Sequence, residues 1–145
     1  KIILAGRHIN DNMGSYVVSE LIKKMKKKNI KINRSKILVM GLAFKEDCAD
    51  IRNSGVKNVI QGLKKYNCDL DLHDPWVDSK EIKKLYNINP KLILDKNTYD
   101  VVIITVAHKK FKDMKINEIL NLCKKNHIIY DLKYLLPKDQ ASLRL

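Results

Sequence analysis

The chain reads as an α/β protein, a parallel sheet with helices on both faces, preceded by one long helix. Three observations carry this. The runs Lys36-Ile37-Leu38-Val39-Met40 and Asp100 to Val106 have strand length and an almost unbroken apolar character, as strands buried on both faces do. Amphipathic stretches with apolar residues every three to four positions separate the strands. Strands and helices alternate at the spacing of βαβ crossovers, which gives parallel pairing. At 145 residues and 45% apolar content, the chain can bury one domain's core with an appendage.

In chain order, residues 8–28 place Ile9, Met13, Val17, Leu21, Ile22 and Met25 on one continuous stripe, which predicts a long amphipathic helix. Roughly twenty residues at 1.5 Å each span about 30 Å. Lying ahead of the first strand, this helix falls outside the alternating repeat. It is expected to join a preceding domain or to pack on a partner subunit. Gly14 weakens it locally or permits close approach of another helix. Residues 29–35 read as a polar exit loop. Strand 36–40 follows, then a helix over about 53–66 with Val56, Val59, Ile60 and Leu63 on one face and Asn53 or Ser54 as its N-cap.

The next strand, 68–73, alternates Cys68, Leu70 and Leu72 with Asp69, Asp71 and His73, so it is half-buried and near a sheet edge. Asp74-Pro75 ends it. Asp78 caps a short helix over 79–86 carrying Ile82 and Leu85; 87–90 is a turn, and 91–95 a short strand or an irregular segment. Strand 100–106, a helix over 116–123 with Ile116, Ile119, Leu120 and Cys123 inward, and strand 127–131 complete the alternation. Periodicity is lost in the tail around Pro137. The expected architecture is a Rossmann-like, three-layer fold over 34–145, with 1–33 as the linking helix segment.

Composition narrows the classes. Cys48, Cys68 and Cys123 are odd in number and widely spaced, and they form no CxxC or Cys/His ligand pattern, so neither a disulfide scaffold nor a metal site is expected. A reducing, cytoplasmic setting fits. The apolar run Tyr99 to Ala107 is too short to span a bilayer, and the first seven residues turn polar too quickly for a secretory signal. Without an initiator Met, the chain is expected to start in mid-protein. The net charge of +13 draws heavily on Lys23, Lys24, Lys26, Lys27, Lys28, Lys31, Arg34 and Lys36. Such a run suits a nucleic-acid or membrane footprint. No aromatic residues interleave to stack bases, and lysines favour a helix C-terminus, so it is read as a solvated helix end, with neither nucleic acid nor membrane as partner.

Candidate binding residues gather in the stretch from Gly41 to Ser54, a loop that leaves a strand and enters a helix, where open α/β sheets bind ligands. Helix N-termini there favour anions. The loop adds Lys45, Arg52 and the aromatic Phe44; Lys133 lies at the same sheet edge, after the last strand. This cation set suits a pyrophosphate. Gly41 stands alone, with no GxGxxG or GxxxxGK[ST], so side chains rather than a glycine cradle would hold the phosphates. The alternative for Lys45 and Arg52 is a surface ion pair with Glu46, Asp47 or Asp50. Catalytic candidates are absent. His8, His73, His108 and His127 fall on separate elements; Cys48 has no partner base; Asp50 reads as a loop-bracing or capping carboxylate. From residues alone the chain is a binding domain without a complete active site.

The run Gly41-Leu42-Ala43-Phe44-Lys45-Glu46-Asp47 through Asp50-Ile51-Arg52-Asn53-Ser54 resembles the G-x-x-F-K-x-x-x-x-D-x-R-x-S signature of UDP-glucose/GDP-mannose dehydrogenases, which marks their C-terminal, UDP-binding domain. The stretch Ala5 to Gly14 is similar to that family's A-G-R-x-I-N-D-x-M segment. Asp74-Pro75-Trp76-Val77-Asp78 and Tyr130 to Pro137 look closest to its UDP-N-acetylhexosamine 6-dehydrogenase branch, the Vi-polysaccharide type. The resemblance implies that Phe44, Lys45 and Lys133 contact a UDP-sugar, and that Arg52 reaches an NAD held mainly by an N-terminal domain. It further implies two successive NAD-dependent oxidations of the sugar C6 alcohol through a thiohemiacetal, in bacterial surface polysaccharide biosynthesis. The nucleophilic cysteine and the NAD motif would lie upstream, and the first helix would join the domains and form a homodimer. On this view the chain alone is inactive. A stand-alone nucleotide-binding module and a basic nucleic-acid-binding domain are the alternatives.

Overall fold

The computed structural model describes residues 6–43, 45–51 and 54–144, with side chains from residue 13 onward. Helix α1 (Gly6–Lys27) leads into β1 (Lys36–Met40), α2 (Val56–Lys65), β2 (Asp69–His73), α3 (Ser79–Tyr86), β3 (Tyr99–Ile104), the short α4 (Lys109–Lys112), α5 (Ile116–Leu122), β4 (Cys123–Asp131) and a two-residue β5 (Leu143–Arg144). The sheet is parallel throughout, in the order β2-β1-β3-β4-β5. The expected α/β, three-layer architecture is what forms, and β2, the alternating strand, lies on an edge.

Two apolar clusters flank the sheet. One joins Val17, Leu21 and Met25 of α1 and Val59, Ile60 and Leu63 of α2 to Ile37, Val39, Val101, Ile103, Ile128 and Tyr130. The other joins Phe111, Ile119 and Leu122 to Leu38, Met40, Val102, Ile104 and Ile129 on the opposite face. Successive residues of β1 and β3 therefore feed different layers, which is why these strands are apolar without alternation.

The apolar stripe of α1 packs into this chain's own core, where Leu21 and Met25 are fully buried. Gly14 meets α2 so closely that an added Cβ would lie 2.4 Å from the Asn58 Cβ. Of the two roles considered for Gly14, close helix approach is the one seen.

Smaller differences have local causes. Helix α2 starts at Val56 after an N-cap Gly55 that makes no side-chain cap bond; Ser54 Oγ accepts from Val56 N–H at 3.4 Å, and Asn53 lies outside the described residues. On α3, Asp78 caps as expected, accepting from Lys80 N–H at 2.9 Å. There Tyr86, not Leu85, joins Ile82 in the core. Segment 91–95 is irregular, tied to the edge strand by Lys91 N–H donating to the Leu72 carbonyl at 2.7 Å. Strand β4 begins at Cys123 opposite Tyr99, and a register shift then pushes the exposed Lys124–Asn126 outward before the main ladder resumes. Both α4 and β5 are too short to show a period of their own.

Candidate functional site

Because the strands are parallel, the loops leaving β1, β3 and β4 meet at one edge of the sheet. A cleft of about 320 Å³ opens there between α1, the start of α2 and these loops. Lys45 and Lys133, from loops on two different strands, both line it, together with Ser54, Gly55 and Val56 where α2 begins. Helix α2 has no acidic residue in its first turn, so its own sequence leaves the positive end of the helix dipole uncompensated. Val17, Val106 and Leu132 form an apolar wall, and Glu46 is the one carboxylate among the lining residues. A volume at the lower end of small-molecule sites and a lining that holds both cations and apolar side chains suit an anion with an attached ring.

Buried polar groups hold the lysine-bearing loops. Gly41 has φ +111°, and a Cβ there would come within 2.7 Å of Thr105 Oγ1, so only glycine fits the turn out of β1. The Thr105 hydroxyl donates to the Met40 carbonyl at 3.0 Å and bridges to that of Gly41. One residue past β2, Asp74 Oδ2 accepts from Leu42 N–H at 2.7 Å, from Ala43 N–H at 3.0 Å and from His108 Nε2 at 3.0 Å, and Oδ1 accepts from Trp76 N–H at 2.8 Å. His108 Nδ1 in turn accepts from Asp47 N–H at 2.9 Å. This acceptor role places the ring proton on Nε2. At the end of β4 the buried Asp131 holds the second loop, accepting from the N–H groups of Lys133, Leu135 and Leu136.

Burial alone raises an Asp carboxyl, but hydrogen bonds from His108, Leu42 and Trp76 outweigh it, and Asp74 titrates below the ordinary carboxylate range. For the neighbouring His73, burial dominates and lowers the imidazole below its ordinary value, against a bond to the Lys91 carbonyl and the pull of Asp74. The buried Cys123 thiol is pushed up to about 12 by desolvation, which makes it inert. Cys48 is half-buried, and its Sγ accepts from Asp50 N–H at 3.4 Å. Among the described residues, no group of three His, Cys, Asp or Glu side chains is placed to hold a metal, and no helix is long and apolar enough to cross a membrane.

Residues 38–138 match the model of the UDP-glucose/GDP-mannose dehydrogenase family, UDP binding domain. The chain belongs to this family. It is 46% identical, over all 145 residues, to a UDP-N-acetyl-D-glucosamine 6-dehydrogenase of Salmonella typhi, and 34% identical over 143 residues to Protein CapL of Staphylococcus aureus. It spans about a third of the length of these curated relatives, 34% in each case. Among solved structures it resembles an NDP-N-acetyl-D-galactosaminuronic acid dehydrogenase from Methanosarcina mazei, with a TM-score of 0.74 at 20% identity over 92% of this chain and 28% of that one. This last likeness shows the shared fold.

Set in this UDP binding domain, the residues singled out in the sequence divide clearly. Lys45 and Lys133 come together on one cleft; Phe44 and Arg52 lie outside the described residues. The histidines remain scattered, but His108 is the partner of Asp74. That pair and Asp131 are the residues the sequence reading missed, although Asp74 was noted as a strand stop and His108 placed after a strand. The available signal was positional: Asp74 follows β2 directly, Asp131 ends β4 and His108 lies in the loop leaving β3, all at the ligand-binding edge.

Proposed function

We propose that this chain is the C-terminal, UDP-sugar-binding part of an NAD-dependent UDP-N-acetylhexosamine 6-dehydrogenase acting in surface polysaccharide biosynthesis in the cytoplasm. The observation that carries it is the convergence of Lys45, Lys133 and the start of α2 on one cleft, within a domain of this family. In this reading the two ammonium groups and the α2 N-terminus bind the diphosphate, and the apolar wall takes the base or ribose. Phe44 contacts the UDP-sugar. Arg52 reaches NAD bound mainly by a preceding domain, which also supplies the nucleophilic cysteine. Residues 1–33 link to that domain and contribute to a homodimer, and 34–145 carry the nucleotide site. With the apolar stripe of α1 already buried, such a dimer would use other faces of the helix, where Tyr16 is 54% exposed.

Calorimetric titration with UDP and with UDP-N-acetylglucosamine tests the reading. Both should bind, and the double variant K45A/K133A should bind neither; equal binding by the double variant would overturn it. Reduction of NAD, followed by absorbance with the same UDP-sugar, should not occur with this chain alone.

A further inference from the structure

We infer that His108, locked by Asp74, is a positioning residue that presents the Lys45 loop for phosphate binding and lets it go when the imidazole takes up a proton. The inference rests on the diphosphate reading of the cleft and adds a residue that touches no ligand.

The loop is tied at both ends to one buried pair. Leu42 and Ala43 donate to Asp74 on one side of Lys45, and Asp47 donates to His108 on the other. The ring is wholly buried, packed edge-on to Phe111 at 5.3 Å and tilted against Trp76 at 6.3 Å, so it cannot turn to exchange partners cheaply. Asp47 sits at φ +51° and its Oδ1 accepts from Lys109 N–H at 3.0 Å. That left-handed conformation, sparsely used by residues other than glycine, is maintained by contacts on both its amide and its carboxylate.

Only the neutral ring satisfies this arrangement. A proton added at Nδ1 turns the acceptor into a donor facing the Asp47 N–H, and the two repel. The Asp47 carboxylate, with Oδ1 3.8 Å from Nδ1, is then the acceptor within reach. Engaging it requires Asp47 to leave Lys109 and turn inward, which moves the backbone beside Lys45. The charged and titratable groups facing the ring are Asp47 and Asp74, with Nδ1 3.8 Å from Asp47 Oδ1 and Nε2 3.0 Å from Asp74 Oδ2, and His73 at the end of β2, which interacts with both His108 and Lys110.

The test is UDP-N-acetylglucosamine affinity of the protein between about pH 8 and pH 5, where the diester phosphates of the ligand carry no proton. Wild-type affinity should fall by about tenfold across that range, the effect of one lost hydrogen bond. His108→Asn keeps an acceptor near the Nδ1 position, loses the donor to Asp74 and cannot be protonated, so whatever affinity it shows at the upper pH should stay flat on acidification. His108→Gln keeps the donor to Asp74 and loses the acceptor, and should bind about tenfold more weakly at every pH. A flat wild-type profile, or an Asn variant that declines with acid as wild type does, overturns the proposal. Nitrogen-15 NMR of the wild-type ring gives a test that needs no variant. Nε2 must carry the proton at the upper pH, and protection of the Asp47 amide must drop on acidification; the opposite tautomer, or unchanged protection, overturns it. If no UDP-sugar binds at any pH, the nucleotide reading fails, while the ring and amide measurements still decide whether the loop is held and released as described.

Discussion

Lys133 is held in place by Asp131: the carboxylate Oδ1 accepts from the Lys133 N–H at 3.2 Å, and the same side chain takes the N–H groups of Leu135 and Leu136. One fully buried charge thus shapes the turn that aims a cleft lysine, while the adjacent Tyr134 adopts φ +55°. Asp131→Asn removes the charge and one accepting oxygen. It should lower stability by about 1–3 kcal/mol, read from the urea midpoint, and weaken UDP-sugar binding as well. Lost stability with full affinity would show that the turn does not aim Lys133.

Lys45→Ala and Lys133→Ala should each weaken UDP-sugar binding by about 1.5–3 kcal/mol, the range for a charge-assisted hydrogen bond. In a protein that also carries the NAD domain, NAD affinity should hardly change, whereas Arg52→Ala should affect NAD more than UDP-sugar. Both lysines are exposed, so neither substitution should move the unfolding midpoint appreciably.

Gly41→Ala forces a Cβ against Thr105 and Val106 at a backbone angle that L side chains rarely adopt. The backbone conformation alone should cost about 1–3 kcal/mol, seen as a lower melting temperature.

Stability should fall with acid in two windows. His73 is lowered in the folded state, so as pH drops past its ordinary value near 6.5 the unfolded chain binds the proton first and unfolding is favoured. Asp74 is lowered as well; its contribution is complete above the ordinary carboxyl value near 3.8 and is lost as pH falls through the folded-state value. Urea midpoints against pH should therefore bend near neutrality and again near pH 4, and His73→Gln should remove the first bend.

Leu21→Ala on α1 should cost about 2–5 kcal/mol, as for any fully buried leucine. Removing residues 1–33 should leave 34–145 unable to fold cooperatively, because the first layer of the core would face water. A two-state melt of the shortened chain with unchanged midpoint would refute this.

Local pattern made much of the protein legible. The strands expected over 36–40 and 100–106 were readable because burial on both faces leaves an apolar run, although the second runs from Tyr99 to Ile104, and β2 because an edge strand alternates. Lys45 and Lys133 were legible as one group because parallel strands must end at one edge. Elements that depend on a distant partner were not legible. Strand β4 extends back to Cys123 only because Tyr99 lies opposite, and β5 exists only beside Tyr130 and Asp131. The stripe on α1 could be read from the sequence, but not what it faces: a helical period states that a face is buried and says nothing of the surface that buries it.

The sequence by itself determined the α/β alternation, the binding edge and the cations placed there, since each follows from residue type and spacing within one element. Tertiary structure decided that α1 closes the core, and that Asp74, His108 and Asp131 hold the loops presenting those cations. Asp74 lies 31 to 34 positions from Leu42, Ala43 and His108, and His108 lies 61 from Asp47. No local period encodes contacts across such separations; they appear only when the sheet brings the ends of β1, β2 and β3 together in a site shielded from water, where a carboxylate must find every donor it needs.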